Sequence, residues 1–230
     1  MKTYQAVDSL LEGEQVQVEA SDPGFASDVE KWAKTTGNTL ISNVFENGVY
    51  RAVVQKGHVT NDSDSGATNA PSVSAPNTTI VLFSGDMDKA IASMIIAQGA
   101  RAMGKNVTIF CTFWGLALLR KSTHVKVKKT LVEKMFGWML PKGPDQFVIS
   151  KMNMLGMGTN MMKGIMKKKN VDSLDKLMKD AIQAGVNIMA CTMSMDIMGI
   201  KKEELIDGIS YGGVASYLAE SDKAGVTLFI

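Results

Sequence analysis

The hydrophobic pattern changes character about a quarter of the way along the chain. Up to residue 57 the apolar positions are spaced for small amphipathic elements. TYQAVDSLLEG places Tyr4, Val7, Leu10 and Leu11 on one helical face, with Gly13 as a stop. QVQVEA alternates strictly, which predicts a strand with one buried face. Ser21-Asp22-Pro23-Gly24 predicts a turn, and ASDVEKWAKTTG an amphipathic helix with Val29, Trp32 and Ala33 inward and Gly37 at its end. TLISNVFENGVYRAVVQKG predicts a hairpin turning at Asn47-Gly48. The predicted order is α-β-α-β-β, and three strands leave a thin core for an independent domain.

Beyond residue 78 the strands are continuous apolar runs. TIVLFS, from Thr79 to Ser84, is the first, and Gly85-Asp86 turns the chain into a helix over MDKAIASMIIAQGARAMG. NVTIFCTF is a second strand, GLALLRK predicts a helix, and a basic, Met-rich region extends to about Asn170. VDSLDKLMKDAIQAG predicts a helix leading into a third strand, VNIMAC. KKEELIDGISYGGVASYLAESDKAG predicts one or two helices, and VTLFI a fourth strand. Apolar strands separated by helices indicate a parallel sheet covered on both faces.

The two patterns are separated by HVTNDSDSGATNAPSVSAPNTT, which is polar, rich in Pro and Gly, and too long for an unstructured loop inside a compact domain. The expected organisation is a domain over 1–57, a linker over 58–77 and a domain over 78–230. Charge follows this division. Residues 1–57 hold 5 Lys/Arg against 8 Asp/Glu, a net −3, whereas residues 78–230 hold 20 against 13, a net +7. The 230-residue chain as a whole is near neutral at +2, and 45% hydrophobic with 21% charged residues is the balance of a globular protein. No apolar run approaches the roughly 20 residues that span a bilayer. The N-terminus carries acidic residues and no apolar core of a secretory signal. Two cysteines provide neither a disulfide framework nor a four-thiolate zinc site, so the expected compartment is the cytoplasm, with both thiols reduced.

The cysteines are the candidate chemistry. Cys111 ends NVTIFC and Cys191 ends VNIMAC, and reactive groups in an open parallel sheet gather at the carboxyl ends of strands. Cys191 is the stronger candidate, because it leads into TMSMDIMG, a loop or first helical turn whose free N–H groups can stabilise a thiolate. The alternative for each cysteine, and the simpler reading for Cys111, is a buried, inert small hydrophobe. The absence of a Cys-x-x-Cys pair disfavours a thioredoxin-type dithiol. Ser84-Gly85-Asp86 has the position of a phosphate-binding turn, but Asp86 would repel phosphate and a helix-capping turn is the simpler reading. His58 and His124 are read as solvated histidines. KMNMLGMGTNMMKGIMKKKN holds six of the 17 methionines, followed by lysines. It could be an adaptable partner surface, a peripheral membrane contact through 152–169, a thioether site for a soft metal such as Cu(I), or a loop on its own core. Its lysines are not interleaved with aromatics, so nucleic acid is not an expected partner.

The region FSGDMDKAIASMIIAQGARAMGKNVTIFCTFWGL, with LPKGPDQF, KMNMLGMGTNMMK and AGVNIMACTMSMDIMGIKKEELIDGISYGGVASYL, resembles the DsrE/DsrF-like sulfur-relay family, in its larger Met-rich branch. The resemblance covers essentially all of 78–230. It implies a three-layer α/β/α domain with a mainly parallel sheet, a tendency to form homo-oligomers, and sulfur carried as a cysteine persulfide. Cys191, in ACTMSMD, stands where the sulfur-accepting cysteine is expected, and Cys111, in FCTFWG, is the second candidate, assisting or resolving. AVDSLLEGEQVQVEASDPGFASDVEKWAKTTGNTLIS and VYRAVVQKG resemble TusA-type sulfur carriers, a small two-layer α/β sandwich. Those carriers open with a strand and a Cys-Pro-x-Pro motif, which this sequence lacks. The unit is therefore expected either to dock without carrying sulfur, or to be the truncated start of a longer chain in which Met1 is internal. The implied partners are TusA-like and rhodanese-like sulfur-transfer proteins. A relay of this kind uses thiolate exchange alone, so no cofactor and no metal is expected. The other reading is a non-catalytic scaffold, or a thiol peroxidase or redox sensor using the same cysteine.

Overall fold

The structure is a computed structural model. It describes residues 2–21, 25–57, 76–123 and 125–230, arranged as two compact units. His58, His124 and all but the last two residues of the expected 58–77 linker lie outside the described residues.

The N-terminal unit has the predicted order: α1 (Lys2–Asp8), β1 (Gln15–Ala20), α2 (Phe25–Thr35), β2 (Thr39–Glu46) and β3 (Val49–Gln55). Its antiparallel sheet runs β1-β3-β2. Asn47 (φ 52°) and Gly48 (φ 80°) are both left-handed, the geometry that matches a two-residue turn to the strand twist. The core is as thin as the strand count implied. Val7, Val29, Ala52 and Val54 are buried, with Val16, Phe25, Trp32 and Leu40 packed partly against them. Helix α1 is shorter than its periodicity predicts. It ends at Asp8 and leaves Leu11 exposed, because the Leu11 N–H is drawn to the Glu14 carboxylate at 2.7 Å as the chain turns toward β1.

The larger unit is built on β4 (Asn77–Leu82), β5 (Val107–Cys111), β6 (Asn187–Cys191), β7 (Ser210–Gly212) and β8 (Ala224–Phe229). The order is β7-β6-β5-β4-β8 and every pairing is parallel. On one face, α3 (Met87–Ala102) and α6 (Leu174–Gln183) pack Met87, Ala90, Met94, Leu177, Met178 and Ala181 against Ile80, Leu82, Ile109 and Ile188. On the other, α8 (Val214–Ser221) sets Tyr217 over Val81, Phe110, Met189 and Cys191. This is the expected three-layer α/β/α arrangement, with a thick core on one side and a thin cover on the other.

Three local readings need correction. GLALLRK is not an α-helix but part of a 3-10 helix, Phe113–Leu119. Its Gly115 passes so close to β4 that a Cβ would lie 2.2 Å from the Leu82 carbonyl oxygen. Strand β7 has only three residues, and its SYG sequence gives no apolar run. The Met-rich region contains α4 (Leu131–Met139) and α5 (Met157–Lys168). Helix α4 begins with a capping box in which the Thr130 hydroxyl accepts from the Glu133 N–H and the Glu133 carboxylate accepts from the Thr130 N–H. Among the described residues, no helix is long and apolar enough to cross a membrane.

Candidate functional site

Strands β5 and β6 are neighbours, and both cysteines stand at the carboxyl edge of the sheet. They do not share a face. Cys111 pairs laterally with Ala190, so Cys191 lies one residue further along and the pleat turns it the other way. Cys111 packs into the cluster with Ile80, Leu82 and Ile109, while Cys191 joins Val81, Phe110, Met189 and Tyr217. The edge expected to collect both thiols therefore separates them by the thickness of the sheet.

The two environments differ chemically. Cys111 is fully buried at 0% exposure, and burial pushes its thiol up to about 12, which keeps it protonated near neutral pH. Cys191 is also covered, at 1% exposure, and burial raises its pKa as well. Here, however, polar donors outweigh desolvation: the Ser194 hydroxyl and N–H, the Thr112 hydroxyl and the Met193 N–H lower the thiol below its ordinary value of 9.0. Cys191 immediately precedes α7 (Thr192–Ile197), and its side chain forms no regular N-cap hydrogen bond. The thiolate is favoured by several converging donors rather than by one cap.

Thr112 and Ser194 form a pair of their own, with Oγ1 and Oγ 2.7 Å apart in a buried contact. Two hydroxyls have two protons. One is used between them, so the other can be given to the Cys191 sulfur. Neither residue was singled out from the sequence. The available signal was Cys191-x-x-Ser194 at a strand-to-helix junction, which puts a hydroxyl in the first turn. Thr112 takes its role from the lateral register of β5 and β6.

The other candidates do not join this site. In Ser84-Gly85-Asp86 the Ser84 hydroxyl donates to the Asp86 carboxylate at 2.7 Å, and Lys89 pairs with the same carboxylate at 2.8 Å. Asp86 also accepts the Ala90 N–H through its carbonyl, so the turn starts a helix and presents a carboxylate where a phosphate would sit. Helix α5 buries only Gly158 and Thr159, leaving Met157, Met161, Met162 and Ile165 exposed. Among the described residues there is no cluster of three His, Cys, Asp or Glu side chains that could hold a metal ion.

Comparison with known proteins fits this architecture. Residues 74–229 match the DsrE/DsrF/DrsH-like family, and residues 1–56 match Sulfurtransferase TusA. The chain is 54% identical over 153 residues to the uncharacterized protein YrkE of Bacillus subtilis (strain 168), spanning 66% of this chain and 96% of that one. It is 34% identical over 155 residues to the sulfur carrier protein DsrE2 of Allochromatium vinosum, again covering 66% of this chain and 96% of the relative.

Proposed function

The chain belongs to the DsrE/DsrF/DrsH-like family, and from that premise we propose that it carries sulfane sulfur as a persulfide on Cys191. The observation that carries the reading is the position of Cys191 at the junction of β6 and α7, near the buried Thr112–Ser194 hydroxyl pair, where its pKa is lowered. In loading, the Cys191 thiolate attacks the outer sulfur of a donor persulfide. A new S–S bond forms at Cys191, the donor's S–S bond breaks, and its electron pair leaves as a thiolate that takes up a proton. In delivery, an acceptor thiolate attacks the terminal sulfur and Cys191 departs as a thiolate. The same donors assist both steps, since a lowered pKa supplies the nucleophile and makes Cys191 a better leaving group. No net oxidation or reduction is involved.

Cys111 contributes packing in this scheme, as a neutral thiol on the opposite face. Residues 1–57 hold no cysteine, so in this scheme the sulfur is carried on the larger unit. TusA-like and rhodanese-like proteins are the partner class, the cytoplasm is the compartment, and homo-oligomers are the working form. Cys191 is nearly closed to solvent, so transfer requires its cover to yield. That cover is slight, because Tyr217 is the one buried residue of α8.

A second reading, a scaffold without sulfur chemistry, is favoured by the apolar surface outside the site. Leu131, Trp138 and Met139 on α4, and Met152, Met154 and Leu155 before α5, are all exposed. Patches of this kind mark interaction surfaces. Intact-mass analysis after exposure of the reduced protein to polysulfide separates the two. The carrier reading expects a gain of about 32 Da, one sulfur atom, reversed by reductant, lost in Cys191→Ala and kept in Cys111→Ala. No adduct on any variant would leave the scaffold reading in place. Flotation with anionic vesicles then tests whether the exposed apolar surface contacts a membrane.

A further inference from the structure

Residues 120–121, 125–127 and 129, helix α4 and Lys142 line a half-open pocket of about 400 Å³. At its floor Glu204 stands between two buried cations. Its carboxylate lies 3.4 Å from Arg120 Nη2 and 2.5 Å from Lys129 Nζ, and the three side chains are 10%, 5% and 7% exposed respectively. One carboxylate thus balances two desolvated cations, leaving positive charge in a place where charge is costly to bury. The walls add Lys126, Lys134 and Lys142, none of which has a side-chain hydrogen bond or ion pair among the described residues. Lys121 also lines the cavity, with the exposed Asp207 3.7 Å away.

Local structure holds this excess charge in place. Arg120 Nη1 donates to the carbonyls of Leu140 and Pro141, and Nη2 to that of Gly137, so the guanidinium is fixed by backbone. Gly137 leaves room for it: a Cβ there would lie 3.3 Å from Lys129 Nζ and 3.9 Å from Arg120 Nη2. With both terminal nitrogens committed, Arg120 provides field rather than a fork, and lysine ammonium groups are left to meet a ligand. Point charges spread over several walls select a ligand by the number and spacing of its charges. The volume exceeds the needs of a single tetrahedral ion and is that of a small-molecule site. Trp138, 84% exposed, adds an aromatic surface to the lining.

We infer that this cavity binds a small polyanion carrying at least two phosphate-type groups. The site is separate from Cys191 and does not depend on sulfur being carried there.

The test is calorimetric titration of the full chain with pyrophosphate and, separately, with orthophosphate, at constant ionic strength balanced with chloride. Pyrophosphate is expected to bind at least tenfold more tightly than orthophosphate and to change the Trp138 fluorescence, a change lost in Trp138→Phe. Lys134→Met combined with Lys142→Met removes two unpaired wall cations and spares the buried floor. It should weaken pyrophosphate at least tenfold while leaving the far-UV spectrum and the unliganded Tm unchanged. Cys191→Ala should bind as the unaltered protein does, so this site and the persulfide reading stand or fall separately. The inference is overturned if pyrophosphate does not bind, if orthophosphate binds equally well, or if the double variant retains full affinity.

Discussion

Cys111 and Cys191 end adjacent parallel strands yet project from opposite faces of the sheet, because Cys111 is paired with Ala190 rather than with Cys191. The residue that follows β5, on the Cys191 side, is Thr112, whose hydroxyl meets Ser194 at 2.7 Å and acts on the Cys191 sulfur. A one-residue offset thus divides two similar-looking thiols into a core residue and a polarised one.

Removing either hydroxyl should slow the thiol at neutral pH. Hydrogen bonds to a charged group are worth about 1.5–3 kcal/mol, so Ser194→Ala is expected to lower the alkylation rate of Cys191 at pH 7 by about tenfold. Thr112→Val should act in the same direction. At a pH well above 9 the variants and the unaltered protein should converge, since all are then thiolates. Iodoacetamide kinetics against pH, followed by peptide mapping, make the measurement. Equal rates at pH 7 would dismiss the hydroxyl pair as the source of the thiolate.

The lowered pKa of Cys191 also has a thermodynamic consequence. A group that is more acidic in the folded state binds fewer protons there, so its contribution to stability grows as pH rises through the folded pKa. It is complete above the unfolded value near 9.0 and is lost again as pH falls. The stability difference between the protein and Cys191→Ser should therefore increase from pH 6 to pH 9 and then level off. Urea denaturation over that range checks it.

Tyr217 stacks on Phe110, with ring centroids 5.0 Å apart, and closes the small cluster around Cys191. Tyr217→Ala should cost about 3 kcal/mol of stability and speed native-state alkylation of Cys191, whereas Tyr217→Phe should leave the rate nearly unchanged. Cys111 should stay unreactive in all three proteins. Slower alkylation in Tyr217→Ala would show that the ring does not guard the thiol.

Glu133 links the start of α4 to the chain after α7. Lys201, bound to its carboxylate at 2.7 Å, is the largest influence, and with the Thr130 N–H and hydroxyl it lowers the pKa from 4.5 to about 2. The sign is that of a depressed acid: the stabilisation is present above pH 4.5 and is lost as pH falls toward about 2. Glu133→Gln should lower the urea midpoint at pH 6, and the two midpoints should approach one another near pH 2. A constant gap across that range would contradict the assignment.

Most of the fold was legible locally. Apolar runs marked β4, β5, β6 and β8, Asn47-Gly48 marked the hairpin, and Val29 with Ala33 marked the buried side of α2. These readings succeed because a helix face or a strand run is written in residues that are neighbours in the chain. Where elements are short or held by distant groups, local pattern fails. β7 is three residues long, and the Phe113–Leu119 segment is shaped by the approach of Gly115 to Leu82. Two dissimilar units, a parallel sheet, and cysteines at the ends of two strands are all written in local pattern. That Cys111 faces the thick core and Cys191 the thin one, that Thr112 and Ser194 meet, and that Glu204 lies between Arg120 and Lys129 depends on how distant segments pack. The reason is parity: side chains alternate along a strand, so a lateral offset of one residue, which no stretch of sequence records, exchanges the faces.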